Sequence, residues 1–371
     1  MAHIKEVSKF FNASEKRQDK LAKNIIKYCP ESKRSKLLDV CRTRWCGRID
    51  AMALFEELFV AIVITLEELS LDKSQKDALP LFKLLHDFQF VVTMCVVRSV
   101  LERTLPATKL LQKKNADIID GIDIVTSLKD LSDDMVVDAQ KYHDVWYGRA
   151  KDIASKLNIK ESKRRTCGRQ TKRANHPHTS ISDYYYKALT KEFLSHLQSQ
   201  LASRFADTSS MVSYEGLAVV PSKVLSSYYS LNKFNWREKF RTFVNFYHDD
   251  LPKLHVLEGE LDMWERFWLT TKASVPNTVL TTLRFISPFK VAFPNIYNAL
   301  RILVTLPITS CECERSFSAM RKLKTCFRSR MTEERLNGLS LMYIHPEIAP
   351  DVDQVIDDFA ARRPRRLDFS I

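Results

Sequence analysis

Between Ile49 and Leu101 the apolar residues recur at helical spacing, and this periodicity constrains the fold more than any other feature of the chain. Met52, Leu54, Phe55, Leu58, Phe59, Ile62, Leu66 and Leu69 follow one helical stripe for about five turns. The polar stretch Asp72–Ala78 interrupts it, and Leu79–Leu101 is apolar almost all round, as a helix inside a bundle would be. Glycine points the same way. There are 7 in 371 residues, far below the usual ~7%, and a β-rich chain needs more for its hairpins and bulges. With 45% hydrophobic and 10% aromatic residues a large core can be buried. At about 150 residues per domain the length implies two or three units. The expected fold is mainly α.

The rest of the chain carries weaker signals. Residues 3–28 read as one or two amphipathic helices anchored by Phe10, Phe11, Leu21, Ile25 and Ile26, closed by Pro30. A basic connector over 36–48 holds Trp45. Further helical patterns cover 105–130 and 133–157. The segment 160–180 breaks the pattern with Gly168 and Pro177, and Thr179–Ser182 can cap the next helix. That helix starts near Asp183 and runs to Phe205, with Leu189, Phe193, Leu194, Leu197 and Leu201 on one stripe. Helices follow around 236–249 and 276–286. Pro294–Leu303 reads as a short helix and Leu303–Leu306 as a short buried strand stopped by Pro307. Thr309–Glu312 fits a capping box for a helix on which Phe317, Met320 and Leu323 share a face; these three, with Leu336 and Leu339, are expected to be at least core. A last helix has Thr332 at its N-cap, carboxylates Glu333 and Glu334 in its first turn, and Leu336, Leu339, Ser340 and Tyr343 as its packing face.

Net charge is +13, and its placement matters more than its sum. Residues 1–50 hold 13 basic and 6 acidic side chains, and residues 321–335 hold 6 and 2. Lys160, Lys163, Arg164, Arg165, Arg169, Lys172 and Arg173 face a single Glu161, and Arg362, Arg363, Arg365 and Arg366 close the chain. Everything outside these four segments is net acidic. Clustering of this kind suits a polyanion, because each neutralised phosphate releases counterions; solvated helix faces with a nuclear-import patch are the alternative. The 8 cysteines form no C-x-x-C pair, and Cys167 with His176 and His178 lacks a second paired half, so no zinc pattern is completed. Met1–Lys5 opens no charged leader with an apolar stretch behind it. The apolar runs Leu58–Leu66 and Phe88–Val97 are shorter than the ~18–20 residues that span a bilayer. The expectation is a soluble protein with reduced thiols and no membrane partner.

Two segments carry a resemblance. Pro307-Ile-Thr-Ser-Cys-Glu-Cys-Glu-Arg-Ser-Phe-Ser-Ala-Met-Arg-Lys-Leu-Lys-Thr325 followed by Arg328-Ser-Arg-Met-Thr-Glu-Glu-Arg-Leu-Asn-Gly-Leu339 resembles the C-terminal dimerisation region of the hAT transposase superfamily. The order matches: a small-residue turn, Glu-Arg-x-Phe-Ser, a basic stretch, Arg-x-x-Met and a Leu-rich helix. Thr43-Arg-Trp45 with Arg48 is similar to the family's Arg-Trp motif, and Arg169–Asn175, Tyr184–Tyr186 and Arg204-Phe205 look like its domesticated or THAP-associated subgroup. The resemblance implies an RNase H-like α/β domain, with few strands, interrupted by a long helical insertion. That maps to a partial RNase H-like segment with the Arg-Trp motif at 1–49, an insertion at 50–285 with a basic linker at 160–180, a C-terminal remnant and dimerisation region at 286–346, and a basic tail at 347–371.

In that family three carboxylates hold two Mg²⁺ ions for strand cleavage and joining. The third maps to Glu314, which is equally explained as a carboxylate in the first turn of a helix beside Arg315. The other two lie on strands ahead of the Arg-Trp motif, and Asp19, Asp39 and Asp50, in helical or linker patterns, do not map onto them. Glu314 is thus at most a vestigial catalytic residue. No cofactor is expected, and Mg²⁺ only if a longer chain supplies the missing aspartates. The resemblance further implies a homo-oligomer joined through Phe317, Met320, Leu323, Leu336, Leu339 and Tyr343, in the nucleus. DNA contact through Arg44, Trp45, Arg48, Lys163, Arg164, Arg165, Arg169, Lys172 and Arg173 is the companion expectation. Trp45 either stacks on an unpaired base or fills an interior site; Arg44 and Arg48 either hold phosphates or pair with Glu56 and Glu57. Two other readings stay open: the downstream portion of an active transposase, and a helical scaffold with no nucleic-acid role.

Overall fold

In the computed structural model every described element is a helix. The structure describes residues 1–40, 45–72, 74–113, 117–164, 176–205, 208–229, 235–271, 274–307, 309, 311–325 and 330–361, with the side chains of Trp45, 208–211 and Glu312 left aside. Two compact units result, Met1–Ile308 and Thr309–Ile371.

The larger unit opens with α1 (Ala2–Asn12), α2 (Glu15–Tyr28), α3 (Trp45–Glu57), α4 (Phe59–Ser70), α5 (Ala78–Leu85) and α6 (Phe88–Leu111). The single apolar helix expected from Leu79 to Leu101 is two. His86 and Asp87 break it, because the Asp87 carboxylate accepts the Gln89 N–H at 3.1 Å and starts a new helix. Conversely α6 continues through Pro106 to Leu111, past the boundary expected near 101–105, with Leu101, Thr104 and Ala107 buried on one side. α7 (Ile118–Val137) is capped by Asp117, whose Oδ1 accepts the Ile119 N–H at 2.9 Å, and α8 (Ala139–Lys156) follows. α9 (Ile181–Tyr185) starts where Ser180 Oγ accepts the Asp183 N–H at 3.0 Å. It passes through one π-helical turn, Tyr186–Lys191, into α10 (Glu192–Phe205).

α1 to α6 and α8 to α10 enclose one core around Phe11, Phe55, Phe59 and Phe88. A second core is built by α11 (Thr208–Glu215), α12 (Pro221–Tyr229), α13 (Trp236–Phe246), α14 (Leu257–Thr270), α15 (Val279–Ile286) and α16 (Pro294–Thr305). Trp264, Trp268, Phe240 and Phe243 fill it, and Trp264 Nε1 donates to the Val219 carbonyl at 2.9 Å. α7 belongs to both: Ile118 and Ile119 lie in the second core and Met135 in the first. Sequence periodicity missed α11, α12 and α14.

The strand expected at 303–306 is the last turn of α16 instead. Pro294 occupies the first helical position, and Ile296, Ala299, Leu300 and Leu303 form one buried stripe at i, i+3, i+4, i+7, so Leu303 packs as a helical residue. No strand occurs among the described residues.

Three buried polar groups tie helices together. Glu56 on α3 pairs with Arg98 Nε of α6 at 3.1 Å and Arg149 Nε of α8 at 2.8 Å. His143 on α8 lies between Thr190 Oγ1 at 2.8 Å, on the π-helical turn, and Ser182 Oγ at 3.2 Å. Glu260 on α14 caps α16, accepting the Ile296 N–H at 2.7 Å and the Asn295 N–H at 3.2 Å.

The smaller unit holds α17 (Cys311–Leu323), α18 (Glu333–Ile344) and α19 (Val352–Ala361). Among the described residues no single helix is long and apolar enough to cross a membrane.

Candidate functional site

The smaller unit departs furthest from the rule that apolar side chains are buried. α17 begins with Thr309 Oγ1 accepting the Cys311 N–H at 3.3 Å. α17 and α18 pack against each other as a hairpin, and Lys322 Nζ donates to the Tyr343 hydroxyl at 2.9 Å from above its ring. Thr332 occupies the N-cap of α18 as expected, but its hydroxyl makes no capping hydrogen bond.

Two helices alone have no third layer to cover them. Ala319 is accordingly the one core residue of this unit among those described. Phe317, expected to be at least core, is 69% exposed, and Met320 and Tyr343 are exposed as well. Leu323, Leu336 and Leu339 are half-buried. Leu341 and Met342, which the sequence reading did not single out, are 62% and 64% exposed. The hairpin therefore leaves several large apolar side chains in solvent, a feature that marks association surfaces. Their helical spacing was legible in the sequence; which face would be left uncovered was not.

The tail expected to be basic contains an acidic helix. Asp351 Oδ1 accepts the N–H groups of Asp353 and Gln354 at 3.1 and 3.3 Å, which starts α19. Val352, Val355, Ile356 and Phe359 lie on one face at i, i+3, i+4, i+7, and all are exposed. That spacing was available from sequence, but the arginines behind it dominated the charge reading. Arg362, Arg363, Arg365 and Arg366 lie outside the described residues.

Glu314 sits in the first turn of α17, exposed. Among the described residues no three His, Cys, Asp or Glu side chains come together as a metal-binding group. One exposed carboxylate does not by itself make a two-metal centre, whose ions need bridging carboxylates from several elements.

The nucleic-acid candidates are only partly placed. Arg44, Arg165, Arg169, Lys172 and Arg173 lie outside the described residues, and Trp45 opens α3. Arg48, on α3, is half-buried. Glu56, one of the two partners considered for Arg44 and Arg48, is engaged by Arg98 and Arg149. Lys163 and Arg164 are exposed, with Lys163 hydrogen-bonded to His178. Both stand at the rim of a cavity of about 710 Å³ whose floor is apolar, formed by Ile4, Met52, Phe90 and Met94.

Comparison with known proteins agrees with this emphasis on the C-terminal part. Residues 260–348 match the hAT family C-terminal dimerisation region, a stretch that takes in α14 from Glu260 onward and α15 to α18. The chain is 28% identical over 368 residues to the 52 kDa repressor of the inhibitor of the protein kinase from Homo sapiens, covering 96% of this chain and 47% of that protein. It is 27% identical over 369 residues to the protein of the same name from Mus musculus, with the same coverage. The chain thus spans about half the length of the curated relatives it matches. No solved structure matches it significantly.

Proposed function

We propose that this chain is a non-catalytic, hAT-transposase-derived protein that self-associates through its α17–α18 hairpin and works in the nucleus. The observation that carries the reading is the exposed apolar surface of Phe317, Met320, Leu341, Met342 and Tyr343 inside a segment matching the hAT family C-terminal dimerisation region. Surface of this size and chemistry is stabilised by a second layer of apolar side chains, and a copy of the same hairpin supplies one. The absence of strand cleavage in this reading rests on Glu314 standing as the one family carboxylate that maps onto the chain. The relatives are named as repressors, which suits a regulatory role better than a DNA-cutting one. An RNase H-like character for 1–49 and 286–346 is supported by the order of the Arg-Trp and Glu-Arg-x-Phe-Ser motifs. Its sheet requires strands, and none occurs among the described residues.

The test is the mass of the full chain by sedimentation equilibrium, wild type beside Phe317→Asp/Met342→Asp. Both positions are exposed, so the aspartates do not disturb a core. A wild-type dimer that becomes a folded monomer supports the reading; a wild-type monomer across the micromolar range ends it.

DNA contact is the second component, supported by the clustering of Arg44 and Arg48 in one basic segment and Lys163, Arg164, Arg165, Arg169, Lys172 and Arg173 in another. Binding to duplex DNA is expected to weaken steeply with salt, with a log–log slope near −0.9 for each phosphate neutralised. No detectable binding near ~50 mM salt would remove this component and leave a helical scaffold.

A further inference from the structure

The cavity rimmed by Lys163 and Arg164 belongs to the larger unit and plays no part in self-association through the hairpin. Four helices wall it with apolar side chains: Ile4 from α1, Met52 from α3, Leu84 from α5, and Phe90, Met94 and Val97 at i, i+4, i+7 along α6. Ile4, Met52 and Met94 are buried, and the two thioethers adapt readily to the outline of a guest. At about 710 Å³ the cavity falls inside the ~300–1,000 Å³ of small-molecule sites, which pair an apolar lining with a few polar groups at fixed positions.

The polar groups come from a segment that the sequence steers to the cavity mouth. At the end of α8 Asn158 takes the left-handed conformation, with φ of 53°, and the Ile159 N–H donates to the Ala154 carbonyl at 2.9 Å. Asparagine tolerates this reversal, which turns the chain out of the helix. Residues 159–164 then run without regular secondary structure, yet neighbouring side chains pin this stretch. His86 Nε2 donates to the Leu157 carbonyl at 3.1 Å, the Tyr147 hydroxyl donates to Glu161, and the Tyr185 hydroxyl donates to the Ser162 carbonyl at 2.9 Å. Tyr147 and Tyr185 are themselves buried, and Lys163 is held further by His178. A cationic segment fixed at several points loses little conformational freedom when a ligand binds.

Charge selects the ligand. Glu161 is engaged by Tyr147, the Asp87 carboxylate accepts the Gln89 N–H at the start of α6, and His3 lies 3.9 Å from Glu6. Lys163 and Arg164, adjacent and exposed, are the groups at the mouth suited to an anion, and an arginine fork matches a carboxylate with two hydrogen bonds. The apolar walls favour a hydrocarbon over a multiply charged body, whose charges would be buried without partners. We propose that the cavity binds a single-chain amphiphilic carboxylate, its hydrocarbon chain along Met52, Phe90, Met94 and Val97 and its carboxylate at Lys163 and Arg164. The site draws on two of the cations considered for DNA contact, and it stands whether or not the hairpin dimerises.

Isothermal titration calorimetry of the full chain with decanoate is the test. Saturable binding with a dissociation constant on the order of 10–100 µM is expected, and octanoate, two methylenes shorter, should bind about tenfold more weakly. Decanol and decylammonium vary the head group on the same chain, and both are expected to bind more weakly than decanoate. Lys163→Gln/Arg164→Gln, at exposed positions, should lose about tenfold for decanoate and leave decanol unchanged. Val97→Phe, at a half-buried position in the wall, fills the space and should abolish binding, with circular dichroism to show that the helices persist. No saturable heat below ~1 mM decanoate overturns the proposal, as does decylammonium bound as tightly as decanoate or a glutamine variant of undiminished affinity.

Photo-crosslinking separates the cavity from the exposed apolar side chains of the hairpin. Decanoate bearing a diazirine near its chain end is expected to label peptides containing Met52, Phe90 or Met94. Labelling confined to Thr309–Ile371 overturns the site.

Discussion

Replacing Glu260 with alanine tests whether a buried carboxylate fixes α16 to α14. The side chain is 4% exposed, and it meets the first turn of α16, where backbone N–H groups have no intrahelical acceptor. Its Oε1 accepts the Ile296 N–H at 2.7 Å, and its Oε2 accepts the Asn295 N–H at 3.2 Å and Asn295 Nδ2 at 2.8 Å. Asn295 in turn bridges to Lys253, accepting its N–H at 3.0 Å and donating to its carbonyl at 2.8 Å. Burial pushes the Glu260 carboxyl above the ordinary carboxylate range, while the donors from Ile296 and Asn295 act in the opposite direction.

Alanine leaves two buried backbone donors without an acceptor and takes from Asn295 Nδ2 one of its two acceptors. At about 1–3 kcal/mol for each orphaned donor, with partial relaxation, the expected cost is about 2–5 kcal/mol, a large share of a typical domain's stability. Glutamine keeps one acceptor oxygen and nearly the same volume, so Glu260→Gln should cost about half as much. Trp264 and Trp268 report on the same core, Trp264 lying 5.1 Å from Phe293 at the start of α16. Urea unfolding followed by tryptophan fluorescence therefore reads the effect directly. An alanine variant within about 0.5 kcal/mol of wild type, or a glutamine variant as damaging as alanine, would refute the capping argument.

Two further outcomes follow from the larger unit. His143 is fully buried, and desolvation holds its imidazole below the usual histidine range. Folding then favours the neutral ring, so its stabilisation is complete above pH ~6.5 and is lost as pH falls through the lowered folded value. His143→Gln should remove that part of the loss in melting temperature between pH 7 and 5; an identical pH profile would discount the residue. Gly216 has no room for a side chain, because a Cβ there would stand 2.6 Å from Phe243 Cδ2 and 2.8 Å from its Cγ. Gly216→Ala should cost about 1–3 kcal/mol in urea unfolding, and Phe243→Leu should partly rescue it; strict additivity of the two would contradict the clash.

Much of the helical content was legible in the sequence, and the reasons lie in individual elements. The stripe from Met52 to Leu69 is buried in α3 and α4, and the low glycine count accords with a described chain whose elements are all helical. The motif from Pro307 to Leu339 located the dimerisation region, because motif residues are read in order and need no tertiary information. Misreadings arose where a short-range signal competed with packing. Leu303–Leu306 has β-compatible residues, but Leu303 completes a stripe begun at Ile296 and is buried as part of a helix. Pro106 usually ends a helix, yet the burial of Leu101, Thr104 and Ala107 carries α6 past it.

Periodicity determined by itself that Phe317, Met320, Leu336 and Leu339 lie on helices. Tertiary structure alone decided their exposure. An apolar stripe on a helix reads the same whether a neighbouring helix covers it or water does. The first core closes over Phe55 and Phe59 with helices drawn from as far along the chain as α10, whereas Phe317 on α17 is left largely exposed. Local spacing sets which residues share a face, and only the count of layers in three dimensions sets which faces remain for a partner.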